Sequence, residues 1–276
     1  MSLPFYQVDA FAEGPLLGNP AAVIPLETVL PDETLQAIAQ ENNLSETAFI
    51  VPKGEGVWDL RWFTPTLEVP LCGHATLASA HVVFTALGFG GEAAQFDTLS
   101  GRLSVQRLSE GRYEMDFPAI PATPIPIPEG LAEAYGATPI AVYASGYVIS
   151  VFDSAETVRS LSPDIAALGA LPIQGTRERG NHTAIAKAHG EENLDLILRF
   201  FAPGSGIAED PATGSAACEW APLFQPDFPG RSIRALQAFP GRGGRIDAQA
   251  ISSQGVGARV RLIGAAITLI EGRFFL

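Results

Sequence analysis

The strongest constraint on how this chain can fold is that its second half echoes its first, in motifs of Gly, Pro and polar residues rather than in hydrophobic pattern alone. Arg61-Trp62-Phe63-Thr64-Pro65 returns as Arg199-Phe200-Phe201-Ala202-Pro203, half the length of the 276-residue chain later. Gly18-Asn19-Pro20-Ala21-Ala22-Val23 is answered by Gly180-Asn181-His182-Thr183-Ala184-Ile185, and Cys72-Gly73-His74-Ala75-Thr76 by Thr213-Gly214-Ser215-Ala216-Ala217. A repeat of this length is a domain rather than one supersecondary unit, so it predicts two related domains and not a solenoid. The cleft between such domains is the expected place for a site.

Hydrophobic residues make up 47% of the chain, enough for one or two cores without disulfide or metal staples. The net charge of −13 sets 30 acidic residues against 17 basic ones, and Lys53 and Lys187 are the only lysines. Such a surface repels phosphate backbones and anionic lipids, so neither nucleic acid nor membrane is an expected partner. A small anion stays open as a ligand, because a local cluster of donors can hold it against the overall sign. Met1 to Phe11 lacks the basic, apolar and small-residue succession of a secretory signal. Ala75 to Phe89, the most hydrophobic stretch, is interrupted by polar residues and too short for a bilayer crossing. The expectation is a cytoplasmic protein in which that stretch is a buried helix. Cys72 and Cys218 are too few for a disulfide framework and are expected as thiols.

Pro31 is expected in the first turn of a helix reaching about Asn42, with Leu35, Ile38 and Ala39 on one face. Ser45 to Val51 and Val57 to Phe63 read as strands, and helices are expected from Gly73 and from Gly214. Prolines at 118, 121, 124, 126 and 128 mark a stiff, extended linker. The predicted domains are therefore 1–118 and 119–264. Strands over Arg259–Gly264 and Ala266–Phe274 close the chain, and 265–276 is a candidate to complete the first domain.

Both repeat helices begin with a polar loop and a glycine. Free N–H groups and the positive end of the helix dipole make such a start an anion site, although small residues there also serve close helix packing. Glu46 shares a strand face with Ala48 and Ile50, where a desolvated carboxylate suits a group that takes and returns a proton. Judged by itself, it reads first as a charge on the solvated face of an edge strand. Asp210, before Pro211, is a turn residue or a substrate acceptor, and His74, directly after Gly73, is a helix cap or a donor to substrate. Cys72 lies beside a helix start and Cys218 within a helix, so the two are not repeat equivalents and a matched two-thiol racemase is disfavoured. No spacing of His and Cys suggests a metal, no Gly-rich loop after a strand suggests a nucleotide cofactor, and Gly241 to Gly244 with Arg242 and Arg245 reads as a turn or a minor anion contact. No cofactor is expected.

Gly18 to Val23, Asn43-Leu44-Ser45-Glu46-Thr47-Ala48-Phe49, Cys72 to Thr76 and Glu209-Asp210-Pro211-Ala212-Thr213-Gly214-Ser215-Ala216 together resemble the motifs of the PhzF family, named for an isomerase of phenazine biosynthesis. The resemblance spans nearly the whole chain. It implies an α+β, diaminopimelate epimerase-like fold, in which two pseudo-symmetric domains each wrap a mixed β-sheet around a central helix. It further implies a cofactor-free isomerase in which Glu46 carries a proton from one carbon of a small carboxylate-bearing substrate to another. His74, Asp210 and Ser215 would line the site, Gly73 and Gly214 would hold the substrate through their backbone, and Asn19 would add a substrate contact. A homodimer is implied as well. In the phenazine enzyme the substrate is trans-2,3-dihydro-3-hydroxyanthranilate. The related epimerases place a cysteine in each half, whereas the second half here offers Asp210 near that place. After Ser215 the chain departs from the pattern, and Cys218 to Phe224 is followed by Gln225-Pro226-Asp227-Phe228-Pro229, which predicts a short, proline-ended second central helix. Two rival readings remain: an epimerase or racemase using Cys72 with another base, and a carboxylate-binding protein without turnover.

Overall fold

A computed structural model of the chain describes residues 1–173, 175–176, 180–253 and 257–276. They form two compact units, Met1–Asp116 with Ile263–Leu276, and Phe117–Leu262.

The first unit runs β1 (Ser2–Ala10), β2 (Asn19–Pro25), α1 (Asp32–Asn42), β3 (Glu46–Gly54), β4 (Val57–Phe63), β5 (Glu68–Val69), α2 (Gly73–Thr85), β6 (Ala93–Thr98), β7 (Gly101–Arg107) and β8 (Arg112–Pro118). Its sheet is mixed. β2 is antiparallel to β1 and parallel to β3, β3 antiparallel to β4, β4 parallel to β6 and β6 antiparallel to β7. The sheet wraps α2, which packs on β1, β2, β3, β6 and β7. From His74 to Phe84 every residue of α2 except His81 is buried, the pattern of a helix apolar nearly all round and enclosed on every side. α1 instead buries one stripe, Leu35, Ile38 and Ala39, against Ile24, Phe49 and Phe63. Pro31 lies one residue before its first turn, at the N-cap, and Asn43 ends it in the left-handed conformation with φ 47°.

The second unit runs β9 (Thr123–Ile125), α3 (Leu131–Tyr135), β10 (Ala141–Ala144), β11 (Val148–Val151), α4 (Ala155–Ser160), α5 (Ile165–Ala170), β12 (His182–Lys187), β13 (Leu196–Phe201), β14 (Glu209–Asp210), α6 (Gly214–Phe224), β15 (Ile233–Gln237) and β16 (Gly244–Ser253). Ser154 and Asp164 cap α4 and α5 by accepting from the N–H groups of Thr157 and Ala167. The two expected closing strands are one, β17 (Gly257–Phe275), which pairs with β1 from Ala266 onward.

The ladders of the second unit repeat those of the first. β10 and β11 are antiparallel, β11 and β12 parallel, β12 and β13 antiparallel, β13 and β15 parallel, β15 and β16 antiparallel. Phe63 faces Thr47 and Phe201 faces His182, so the place of Glu46 in the first unit corresponds to that of Asn181 in the second. One expected pairing of landmarks is thereby corrected. Gly180-Asn181 leads into β12, the counterpart of β3, whereas Gly18-Asn19 leads into β2, whose counterpart is β11. Gly and Asn recur wherever a strand follows a tight turn, so the match reflected turn chemistry and not position.

The second central helix is short and ends where expected: α6 closes at Phe224, with Gln225 as its C-cap and Pro226 directly after, and inside it the chain passes through Pro222. A proline lacks the N–H that the carbonyl four residues back would accept. That carbonyl, of Cys218, accepts instead from the Ile120 N–H at 2.8 Å. The proline-rich run after residue 118 is thus no free spacer: Ala119 N–H also donates to the Ala258 carbonyl at 3.0 Å, and β9 pairs with β10.

Candidate active site

The repeated Arg-aromatic-Phe landmark builds the same device twice. On β4, Arg61 grips Glu68 through Nε and Nη2, both at 2.7 Å, with its guanidinium 5.1 Å from the centroid of the Phe63 ring. On β13, Arg199 grips Glu209 at 2.8 and 2.7 Å, 4.9 Å from the centroid of Phe201. The glutamates face Phe63 and Phe201 across short hairpins, and five residues beyond each lies the glycine that opens α2 or α6. A bidentate pair fixes orientation as well as distance, so each clamp sets where its helix begins.

In the first unit the clamp leads to Cys72, Gly73 and His74. Glu46, at the start of β3, is paired with Ala21 of β2. Its Oε2 lies 3.0 Å from His74 Nε2, and the two side chains are 17% and 7% exposed. Both atoms are buried, and neither is aligned with any partner for a hydrogen bond, so this contact acts through charge rather than through a directed bond. Across the ring, Nδ1 meets the amide nitrogen of Asn19 at 3.3 Å and Cys72 Sγ at 3.6 Å. Ser45 Oγ donates to Asn19 Oδ1 at 3.4 Å, which turns the amide N–H toward His74. In the neutral ring, Nδ1 therefore accepts and the proton sits on Nε2, on the side of the Glu46 carboxylate. Asn19 is held there by a turn at Gly18, φ +72°, where a Cβ would lie 2.2 Å from the Ala10 carbonyl oxygen.

Burial pushes the Cys72 thiol up first, and the Glu46 carboxylate adds to it. Burial pulls His74 down, but the charges of Cys72 and Glu46 outweigh it and hold the imidazole well above its ordinary value. Because the thiol is kept neutral near pH 7, the Glu46 carboxylate supplies that effect there. Glu46, Cys72 and His74 each offer a metal-capable atom within 4.8 Å of the others. The imidazole turns Nε2 to Glu46 and Nδ1 to Cys72.

In the second unit Asp210 ends β14 and is buried. It accepts a short hydrogen bond from the Thr213 hydroxyl. Gln237, fully buried at the end of β15, ties this turn together: its Oε1 accepts from Thr213 N–H at 2.8 Å, and its Nε2 donates to the Asp210 carbonyl at 2.6 Å and to the Thr213 hydroxyl at 3.1 Å. Ser215, directly after Gly214, lies 2.9 Å from the Tyr147 hydroxyl. The Gly241 to Gly244 run is the turn between β15 and β16, and Arg245 is engaged with Asp247 at 2.6 Å and the Asn193 carbonyl at 2.8 Å.

Asn19, Glu46, Gly73 and His74 are thus gathered in the first unit, and Asp210, Gly214 and Ser215 in the second. Ser45 and Thr213 were missed as participants although each sits inside a recognised motif. Gln237 and Tyr147 were missed because no motif surrounds them. Their roles come from tertiary placement.

These features define an α+β protein of the diaminopimelate epimerase-like class. A hydroxyproline epimerase from Agrobacterium vitis shares the fold alone, with a TM-score of 0.59 and 12% identity over 99% of this chain and 92% of that one. The relationship to a family is closer. Residues 8–272 match the family model described as phenazine biosynthesis-like protein. An uncharacterized isomerase of Pseudomonas aeruginosa is 41% identical over the whole of both chains. The crystal structure of a PhzF-family phenazine biosynthesis protein from Enterococcus faecalis has a TM-score of 0.91 and 38% identity, again over the whole of both chains. The chain belongs to the phenazine biosynthesis-like family, and by that membership it is an isomerase. Among the described residues no helix is long and apolar enough to cross a membrane.

Proposed function

We propose that the chain is a cofactor-independent isomerase that moves a proton between two carbons of a small carboxylate-bearing substrate, with Glu46 as both acid and base. The observation that carries this reading is the 3.0 Å approach of Glu46 Oε2 to His74 Nε2, two buried atoms without an aligned hydrogen bond. A buried polar atom left in this state calls for a reason, and a carboxylate lone pair kept open for a substrate C–H supplies one. Glu46 takes the proton from one carbon, the electron pair shifts into the substrate, and the same carboxyl group returns the proton to the second carbon. His74, with its proton on Nε2, steadies the carboxylate and can donate to oxygen as charge develops. Gly73 and Gly214 offer backbone donors to the substrate, Asp210 and Ser215 bind its polar groups, and Asn19 sets the imidazole. The resemblance also supports a homodimer, which sedimentation would check.

The test is proton NMR in D₂O with trans-2,3-dihydro-3-hydroxyanthranilate and a panel of small cyclic and amino carboxylates, comparing wild type with Glu46→Gln. Isomerisation or labelling by wild type alone supports the reading; equal activity of the variant sinks it. The contact of Cys72 with His74 favours one rival, a thiol-dependent epimerase. In that case Cys72→Ala abolishes exchange of a stereocentre proton, whereas here turnover survives it. Carboxylates that bind in calorimetry but never turn over would instead mark a binding protein.

A further inference from the structure

α6 carries a carboxylate where α2 carries a methyl group. Counted from the glycines that open the two helices, Glu219 stands in the place of Ala78. Glu219 is 1% exposed and flanked in the helix by buried Cys218 and Trp220. Its Oε2 accepts from the Tyr147 N–H at 3.1 Å. It also lies hard against Gly146, where a Cβ would come within 2.2 Å of Oε1. A buried carboxylate is costly and is poor support for stability alone, so its use in placing the Gly146-Tyr147 backbone needs an explanation in what that backbone holds.

It holds the Tyr147 side chain at the start of the same helix. The hydroxyl of Tyr147 meets Ser215 Oγ at 2.9 Å, and its ring packs edge-on against Phe200 with centroids 4.9 Å apart. The first unit has a parallel arrangement. Ala22 and Val148 occupy equivalent registers, opposite Thr47 and His182, so Asn19 and Tyr147 lie two residues apart along equivalent segments and share a face. Asn19 reaches the residue after Gly73, and Tyr147 reaches the residue after Gly214. In both units, then, a residue at the start of this strand or just before it meets the side chain that follows the helix-opening glycine. Either hydroxyl can donate in this bond; the phenol, the more acidic of the two, is the better donor, and with Tyr147 donating the Ser215 proton is left to point at a ligand acceptor.

We propose that Tyr147, seated by Glu219, is a positioning residue that fixes Ser215 as a hydrogen-bond donor to an anionic oxygen of the substrate. The proposal rests on the substrate-binding role given to Ser215 above. Its test uses the full chain and the panel member that wild type converts, or, if none is converted, the carboxylate it binds most tightly in calorimetry. Tyr147→Phe should raise KM or Kd about tenfold, the scale of a hydrogen bond to a charged group, with kcat within about threefold. In a Ser215→Ala background the same substitution should add almost nothing. Glu219→Ala should follow Tyr147→Phe, and Glu219→Gln, which keeps an acceptor for the Tyr147 N–H, should raise KM less. Equal losses from Tyr147→Phe with and without Ser215, a fall confined to kcat, or a wild-type protein that binds no carboxylate overturns the proposal. If Glu46→Gln stays active while this pattern appears, the proton-transfer reading fails and the role of Tyr147 stands.

Discussion

The two helix starts stand on one scaffold and carry different chemistry. Each is reached through an arginine clamp on a glutamate, a short hairpin and a proline before the glycine. At the α2 start the polar groups are titratable and two buried atoms face each other without a directed bond. At the α6 start Asp210, Thr213 and Gln237 are bonded among themselves, and Asn181 occupies the place that Glu46 holds in the first unit. The repeat keeps the parts that fix backbone geometry and differs in the titratable groups. On this view one unit moves protons and the other binds and orients.

The sharpest way to break that division is to remove the base. Glu46→Gln should lower kcat about a thousandfold, within the range for loss of a positioned acid/base, with an unchanged melting curve. The mirror change, Asn181→Asp, puts a carboxylate at the equivalent place and should not restore activity to the Glu46 variant. Rescue would mean that the two starts are chemically interchangeable after all. The scaffold is tested next. Arg199 and Glu209 are 6% and 11% exposed, whereas Arg61 and Glu68 are 26% and 24% exposed. Arg199→Met strands a buried carboxylate and should cost about 3–5 kcal/mol in urea unfolding. Arg61→Met, at the wetter clamp, should cost about 1 kcal/mol or less. Equal losses would show that burial does not separate the clamps.

Much of this was legible in the residues. Arg61 and Arg199 recur beside aromatic residues and turn formers, so the clamp positions stood out before any contact was known. Glu46 was visible because a carboxylate alternating with Ala48 and Ile50 contradicts the face it shares, and His74 because it follows a glycine that opens an apolar helix. What could not be read was register. That Asn181 answers Glu46 follows from ladder partners, and a matching Gly-Asn turn pointed to the wrong strand. Gln237 and Tyr147 act through residues distant in sequence, and an isolated Gln or Tyr carries no local signal of such a role. The end of α6 before Pro226 was legible, because proline stops a helix by a local rule, but how Pro222 is tolerated inside it was not: the Ile120 N–H that offsets it comes from beyond the helix.

The pH dependence of stability sharpens the comparison further, since each unit holds one neutral histidine, His81 half-buried and His182 buried. Burial lowers both His81 and His182 to about 4, the latter opposed slightly by its bond to the Leu168 carbonyl. The unfolded chain, with histidines near the ordinary value, binds protons that the folded form refuses. Stability is therefore fully present above about pH 6.5 and is lost as pH falls toward 4, by about 2 kcal/mol per histidine at pH 5. Urea unfolding at pH 7 and pH 5 should show that loss, and His81→Gln should remove about half of it. An unchanged pH dependence in that variant would mean that His81 is not neutral in its bonds to Tyr113 and Thr268.

The smallest effect is expected at Pro222, which, counted from the opening glycines, occupies the place of His81 in α2. In an ordinary helix interior, replacing proline by alanine recovers about 3 kcal/mol. Here the recovery should stay below about 1 kcal/mol, because the Cys218 carbonyl already accepts from Ile120 and a new N–H gains only its second lone pair. Urea unfolding of Pro222→Ala, together with amide exchange at Ile120, reads both halves of the argument. A gain near the full value would mean that the Ile120 bond does nothing for α6. A small gain with faster exchange at Ile120 would mean that the two donors compete, and that the proline holds this carbonyl open for the segment after residue 118.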